Sequence, residues 1–236
     1  MKRVLILSII LNIVCLPLAA IYMVRKVQFY QSIQPKDTSA KDDNLFWKIR
    51  NSEFKTLDVD SNSIVFFGDS HTQNFEVAEA FKSLNVKNRG IILDGTATAL
   101  ERLDYIVSKQ PKKIFIQIGI NDLLSGVTPK VVSDDIEKMI EKTKYISPRT
   151  SIYIQSVFPT NWNKFKDQKP VLNDVIELNR LLQSVSDKYN CAYIDLFSLL
   201  VKGSGLNPEY ESGDSLHLNG KGYVLWRDYI TRFVAN

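Results

Sequence analysis

The segment VFFGDSHTQNF, Val65 to Phe75, decides how the chain is read. Three apolar residues without polar alternation run straight into Gly-Asp-Ser, and a polar stretch follows. A short apolar run that ends at a turn signal reads as a strand buried on both faces, as in a parallel sheet. Ser70 then stands just past the strand. It is either the cap of the next helix or a group with chemistry of its own.

Working outward, the same pattern recurs. Strand candidates are Ile64–Phe67, Val86–Ile91, Lys113–Ile118, Ser151–Val157 and Ala192–Leu196. Helical patterns fill the gaps. TALERLDYIVSKQ sets Leu100, Leu103, Ile106 and Val107 on one side, and PKVVSDDIEKMIEKTKYI opens with Pro129 in its first turn. VLNDVIELNRLLQSVSDKY repeats Leu172, Ile176, Leu178, Leu181 and Leu182, and NGKGYVLWRDYITRFV closes the chain, with Tyr223, Trp226 and Tyr229 expected in the core. Strands alternating with helices predict an α/β three-layer sandwich around a mostly parallel sheet, in which ligands sit beyond the carboxyl ends of the strands.

The chain has 236 residues and a formal net charge of +4. Lys2, Arg3, Arg25 and Lys26 account for all of that excess; the remainder carries 26 basic and 26 acidic residues. A balanced domain gives no electrostatic case for nucleic acid. The two cysteines, Cys15 and Cys191, are not expected to pair.

Val4 to Val24 is a run of 21 residues without charge, flanked by basic residues. As a helix it spans about 30 Å, the thickness of a bilayer core. Residues 1–26 are therefore expected to be a membrane anchor with the domain on the outer side, the alternative being a cleaved signal segment ending near LPLAA. Cys15 follows Val14, not a small residue, which disfavours lipid attachment. Residues 27–62 read as a stalk and a lead-in helix, in which NLFWKIRNSEFKTL puts Leu45, Phe46, Ile49 and Leu57 at roughly helical spacing. That helix is expected to pack on the domain, with lipid-surface contact as the alternative. Residues 63–236 form the domain itself.

Four polar blocks fall at the predicted site edge: Gly68-Asp69-Ser70, Asn88-Arg89-Gly90, Gly119 to Asp122, and DSLHLNGKGY from Asp214 to Tyr223. A serine hydroxyl needs a base to attack a carbonyl. Only His71 and His217 are available. Adjacent side chains at a strand-to-helix turn diverge, so His71 is a poor partner for Ser70 and is expected at the surface or behind the reacting groups. Asp214 and His217, three apart, share one face of a turn, where the acid can fix the imidazole tautomer. Candidate donors for a developing oxyanion are the N–H groups of Ser70 and Gly90 and the side-chain amide of Asn121. Asp69 is expected to bond backbone N–H groups and Asp122 to hold its loop.

These four blocks resemble the SGNH/GDSL hydrolase superfamily, with Ser70, Gly90, Asn121 and His217 as the named residues and Asp214-x-x-His217 as the acid–base pair. The first block here reads GDSH, not GDSL. The resemblance spans about Ile64 to Phe233. It implies a flavodoxin-like hydrolase fold and a Ser-His-Asp esterase. No metal cluster or phosphate loop is present, so no metal or cofactor is implied. The loop FPTNWNKFKDQKP carries Trp162 and Phe165 where the site opens, either to stack on substrate or to fold back on the protein. The expected activity is removal of short acyl groups, acetyl first, from an extracytoplasmic glycan. The alternatives are a lysophospholipase or thioesterase acting near the membrane, and an O-acetyltransferase with the same triad.

Overall fold

The computed structural model describes Leu18, residues 21–25, Gln28, residues 45–161 and residues 171–235. The chain divides into two compact units, Met1–Gln34 and Pro35–Asn236. In the first unit the described residues are helical, and Leu18, Ile21, Tyr22, Met23 and Val24 are exposed. The expected anchor lies largely outside the described residues, and among the described residues no helix is long and apolar enough to cross a membrane.

The second unit begins with helix α1 (Leu45–Phe54) and continues with strand β1 (Ile64–Gly68), helices α2 (Ser70–Gln73) and α3 (Val77–Ala80), β2 (Val86–Gly90), α4 (Thr96–Arg102) and α5 (Asp104–Val107). It goes on through β3 (Lys113–Gln117), α6 (Ile120–Leu124), α7 (Pro129–Ile146), β4 (Ser151–Gln155), α8 (Leu172–Lys188) and β5 (Ala192–Ile194). Helix α9 (Phe197–Leu200), the short β6 (Val201–Lys202) and β7 (Gly205–Leu206) pair, and α10 (Gly220–Ala235) complete it. The main sheet has the order β2-β1-β3-β4-β5 and every pairing in it is parallel. All five predicted strands are present. The order reverses at β1, so the first strand-to-helix turn lies where such sheets open a crevice.

Alternation along the strands splits the core in two. Val65, Phe67, Ile114, Ile116, Ile152 and Ile154 face helices that supply Leu100, Leu103, Ile106, Val132, Ile136, Met139, Ile140, Val175, Leu178 and Leu182. On the opposite face, Phe66, Phe115 and Tyr153 meet Phe75, Trp226, Ile230 and Val234. Register places Phe66 beside Phe115 and Phe115 beside Tyr153. Their rings stack at 4.8 and 4.4 Å between centroids. Trp226 is fully buried and donates its indole N–H to Gln155 Oε1 at 2.8 Å. Truncating such a residue to alanine costs about 3–5 kcal/mol.

Two expected faces are corrected. On α8 the buried stripe is Val175, Leu178 and Leu182, while Ile176 is exposed. On α1 the packed face is Trp47, Asn51 and Phe54, while Leu45, Phe46 and Ile49 are exposed, as is Leu57 beyond its end. The helix does pack on the domain, but through residues the hydrophobic spacing did not select. The pattern over 98–110 forms α4 and α5, which meet at Leu103, itself in helical conformation (φ −68°, ψ −34°).

Candidate active site

The carboxyl end of β1 delivers Ser70. Gly68 lies so close to its neighbours that a Cβ there would stand 2.1 Å from Gln117 O and 2.3 Å from Thr72 Oγ1. Only glycine lets the strand turn into α2 at this point. Asp69 is the N-cap: its Oδ1 accepts from His71 N at 3.0 Å, and Ser70 becomes the first residue of the helix. Ser70 is thus in the helix, not its cap. Asp69 is fully buried, and burial pushes its carboxyl up to about 8, so it stands neutral at pH 7.

The loop before α10 supplies the other partners. Ser70 Oγ is 2.8 Å from His217 Nε2, and His217 Nδ1 is 2.5 Å from Asp214 Oδ2. Asp214 also accepts from the backbone N–H groups of His217 (2.8 Å) and Leu216 (3.0 Å) and from Ser212 Oγ (2.9 Å). Partial burial opposes ionisation of Asp214, but these hydrogen bonds outweigh it and hold the carboxyl well below the usual carboxylate range. An ionised Asp214 only accepts, so His217 donates from Nδ1 and presents the Nε2 lone pair to the Ser70 hydroxyl.

This loop is fixed from several sides. Glu211 Oε1 accepts from the N–H groups of Gly213 (2.9 Å) and Ser215 (2.6 Å). Ser215 O accepts from Asn161 N and Thr160 Oγ1, both at 2.8 Å, which ties the loop to the segment beyond β4.

His71 is 1% exposed, so it is not at the surface. Its ring lies 5.2 Å from the His217 ring and 5.0 Å from Phe158. Burial drives its pKa down to about 3, leaving it neutral beside His217.

The donor side differs from expectation at one residue. Gly90 N donates to Asn88 Oδ1 at 2.8 Å and is therefore engaged. A Cβ on Gly90 would lie 2.2 Å from Gln73 N, so the glycine exists to let α2 lie on β2. Asn88 locks the same contact from its other end, its amide donating to the carbonyls of Thr72 (2.7 Å) and Phe75 (2.8 Å). The unengaged N–H lies three residues on, at Leu93, which adopts a left-handed φ of +61° and is 64% exposed. Among the described residues, neither the Leu93 N–H nor the Ser70 N–H meets an acceptor. Asn121 Nδ2 donates one hydrogen to Asp94 O at 3.0 Å and keeps its second. Sequence reasoning passed over Leu93 because a leucine carries no local signal for positive φ.

Asp94 organises this loop. Its carboxylate meets Arg102 Nε at 2.7 Å, Trp47 Nε1 at 3.0 Å and Thr98 Oγ1 at 2.5 Å. Arg102, fully buried and 4.1 Å over the Phe67 ring, also donates to Gly68 O (2.9 Å) and Arg89 O (2.8 Å). One guanidinium thus holds the ends of β1 and β2 and the loop after β2 together. Ile92 N donates to Gln73 Oε1 at 2.8 Å. Asp122 accepts from Thr96 N and Thr96 Oγ1, holding the loop after β3 as expected; burial still pushes its carboxyl up to about 6. Trp162 and Phe165 lie outside the described residues.

The arrangement offers a hydroxyl, a base with its orienting acid, and uncommitted N–H donors at one edge of a parallel sheet. That set suits attack on an ester carbonyl. Residues 66–225 match the model of the GDSL-like Lipase/Acylhydrolase family. No curated protein matches the sequence closely enough to count as a relative. Among solved structures, the fold is shared with a GDSL-like lipase from Bacteroides thetaiotaomicron, at 20% identity, TM-score 0.69, and coverage of 80% of this chain and 95% of that one. It is shared with a lipase/acylhydrolase from Enterococcus faecalis, at 22% identity, TM-score 0.63, and coverage of 73% and 95%. It is also shared with a mutant acetyl-xylooligosaccharide esterase from Geobacillus stearmophilus, at 17% identity, TM-score 0.60, and coverage of 75% and 95%. The chain belongs to the GDSL-like lipase/acylhydrolase family and is, by that membership, a serine ester hydrolase.

Proposed function

We propose that the protein removes short acyl groups, acetyl first among them, from a glycan outside the cytoplasm, with Ser70 as nucleophile. The observation that carries this reading is the continuous hydrogen-bonded line from Ser70 Oγ through His217 to Asp214. His217 Nε2 takes the Ser70 proton as Oγ attacks the acyl carbon, and the ionised Asp214 stabilises the imidazolium that forms. The N–H groups of Ser70 and Leu93 and the free amide hydrogen of Asn121 receive the charge on the carbonyl oxygen; each such donor is worth about 2.7–4 kcal/mol in the transition state. His217 then returns the proton to the leaving alcohol. Water, activated by the same base, releases the acid from the acyl-enzyme.

The acetyl and glycan assignment draws on the acetyl-xylooligosaccharide esterase among the fold neighbours and on the aromatic residues Trp162 and Phe165 in the sequence between β4 and α8. The location draws on the uncharged run from Val4 to Val24, read as an anchor. A lipid acyl ester is the second reading, favoured by the exposed Leu93 side chain beside the donors. A panel of esters from acetylated sugars to lysophospholipids separates them. Faster turnover of acetyl sugars supports the glycan reading, and a preference for long acyl chains overturns it.

A further inference from the structure

The aromatic row on the α10 face of the sheet gives way to a polar one at the strand ends. Phe66, Phe115 and Tyr153 belong to that face. Side chains alternate along a strand, so Gly68, Gln117 and Gln155, two residues further on, belong to it as well. Gly68 pairs with Gln117, and Gln117 comes level with Gln155 one step beyond the pairing of Ile116 with Ile154. Thr72 of α2 stands where Gly68 has no side chain: a Cβ there would lie 2.3 Å from Thr72 Oγ1. Thr72, Gln117 and Gln155 thus form one row across the carboxyl ends of β1, β3 and β4, and none is more than 1% exposed.

The row is short of partners. Gln155 Oε1 accepts from Trp226 Nε1. Gln155 Nε2, Gln117 Oε1, Gln117 Nε2 and Thr72 Oγ1 meet no hydrogen-bond partner among the described residues. A helical threonine often bonds back to the carbonyl four residues earlier. For Thr72 that carbonyl is Gly68 O, which already accepts from Ile91 N at 3.0 Å and Arg102 Nη2 at 2.9 Å. Polar atoms left dry in a core cost more than the ordering of waters that serve them. A buried water makes about three hydrogen bonds, so about two waters serve this row.

The row also reaches the helix of the nucleophile. Helix α2 is four residues long and carries both Ser70 and Thr72. Asn88 holds Thr72 O from β2, and Tyr223 Oη donates to His71 O at 3.1 Å. The missing Cβ of Gly68 would also lie 2.1 Å from Gln117 O, so Thr72 Oγ1 is the polar group that α2 turns towards β3.

We infer that Thr72, Gln117 and Gln155 bind ordered water behind Ser70, and that this water fixes α2 so that Ser70 Oγ stays in line with His217 Nε2. Thr72 and Gln117 are then positioning residues, acting through Ser70.

The test uses the full chain. In wild type with 15N-labelled glutamine, the Gln117 side-chain amide protons should receive magnetisation directly from water in a rotating-frame Overhauser experiment. A folded protein without that transfer overturns the inference. Oxygen-17 relaxation dispersion of the solvent then counts long-lived internal waters. Gln117→Met and Thr72→Val, each close in volume to the residue replaced, should both lower that signal, and the double variant should lose less than the two losses added. A wild-type signal in the folded variants overturns the inference, because the row is then dry. Losses that add overturn it too, because the residues then hold separate waters. Kinetics on a soluble acetyl ester test the positioning role. Thr72→Val and Gln117→Met should lower kcat about tenfold with KM unchanged. Thr72→Ser keeps the hydroxyl in a smaller side chain and should stay within about twofold of wild type. A Thr72→Ser enzyme slower than Thr72→Val shows that the place needs volume and not a hydroxyl, and overturns that role. Unchanged kcat in Thr72→Val overturns it as well. The kinetic arm rests on the esterase reading and the two water measurements do not, so the readings fail separately.

Discussion

Replacing Asp69 with asparagine tests the electrostatics behind the nucleophile. Asp69 is fully buried, and its carboxyl is pushed from 3.8 up to about 8 by burial. The folded protein therefore binds a proton there that the unfolded chain releases, and stability is lost as pH rises toward 8. Each unit of that interval is worth about 1.4 kcal/mol. His71 works in the opposite sense, since burial lowers it from 6.5 to about 3. Between those values the unfolded chain binds the proton instead, so stability rises with pH there and offsets the Asp69 loss. Above pH 6.5 the offset fades, and Asp69 supplies the slope that the variant lacks. Wild-type protein should lose about 1 kcal/mol between pH 6.5 and 8, because the slope halves as pH reaches the folded value. Asp69→Asn retains an Oδ1 acceptor for His71 N and has nothing to titrate, so its stability should stay level over the same window. Urea unfolding at intervals across it, followed by tryptophan fluorescence, measures both slopes. A level wild type, or an equal fall in the variant, would refute the assignment of the buried proton to Asp69.

Other outcomes follow from the same geometry. Asp214→Asn removes the acceptor that fixes the His217 tautomer while keeping the shape, so kcat should fall by about 10⁴ with the melting temperature little changed. Asn121→Ala should lower kcat by about 10²–10³ with a smaller change in KM, measured on a soluble acetyl ester. Leu93→Gly relieves a left-handed leucine whose side chain is already exposed. Thermal unfolding should show a gain of about 0.5–1 kcal/mol, the roughly 1–2 kcal/mol of strain less the entropy that glycine adds to the unfolded chain.

The strands were legible because each is a short apolar run that parallel pairing buries on both faces, and their carboxyl ends carried the polar residues that name the site. Ser70, Asp214 and His217 could be brought together on paper because the chain has only two histidines and one of them sits three residues after an acid. Other features are tertiary and leave no local trace. The faces of α1 and α8 depend on which side of the sheet each helix covers, so Ile176 and Phe46 look as buriable as Val175 and Trp47. Asp94 and Arg102, eight residues apart, look like ordinary surface charges until β1 and β2 bury them together. Gly90 drew attention as a glycine near the site, yet its lack of a Cβ serves the contact with Gln73 N. The uncommitted N–H belongs to Leu93, placed by the clamp on Asp94 and by Gln73 Oε1 on Ile92, not by any preference of leucine.

The central claim, that Ser70 is a nucleophile activated by His217, is tested most directly by covalent capture. A fluorophosphonate is incubated with the folded full chain, and the adduct is mapped by peptide mass spectrometry. The account predicts one adduct, on Ser70, absent in Ser70→Ala and in His217→Ala. A folded wild type that takes no label, or a label on another residue with acetyl ester hydrolysis surviving in Ser70→Ala, would contradict it.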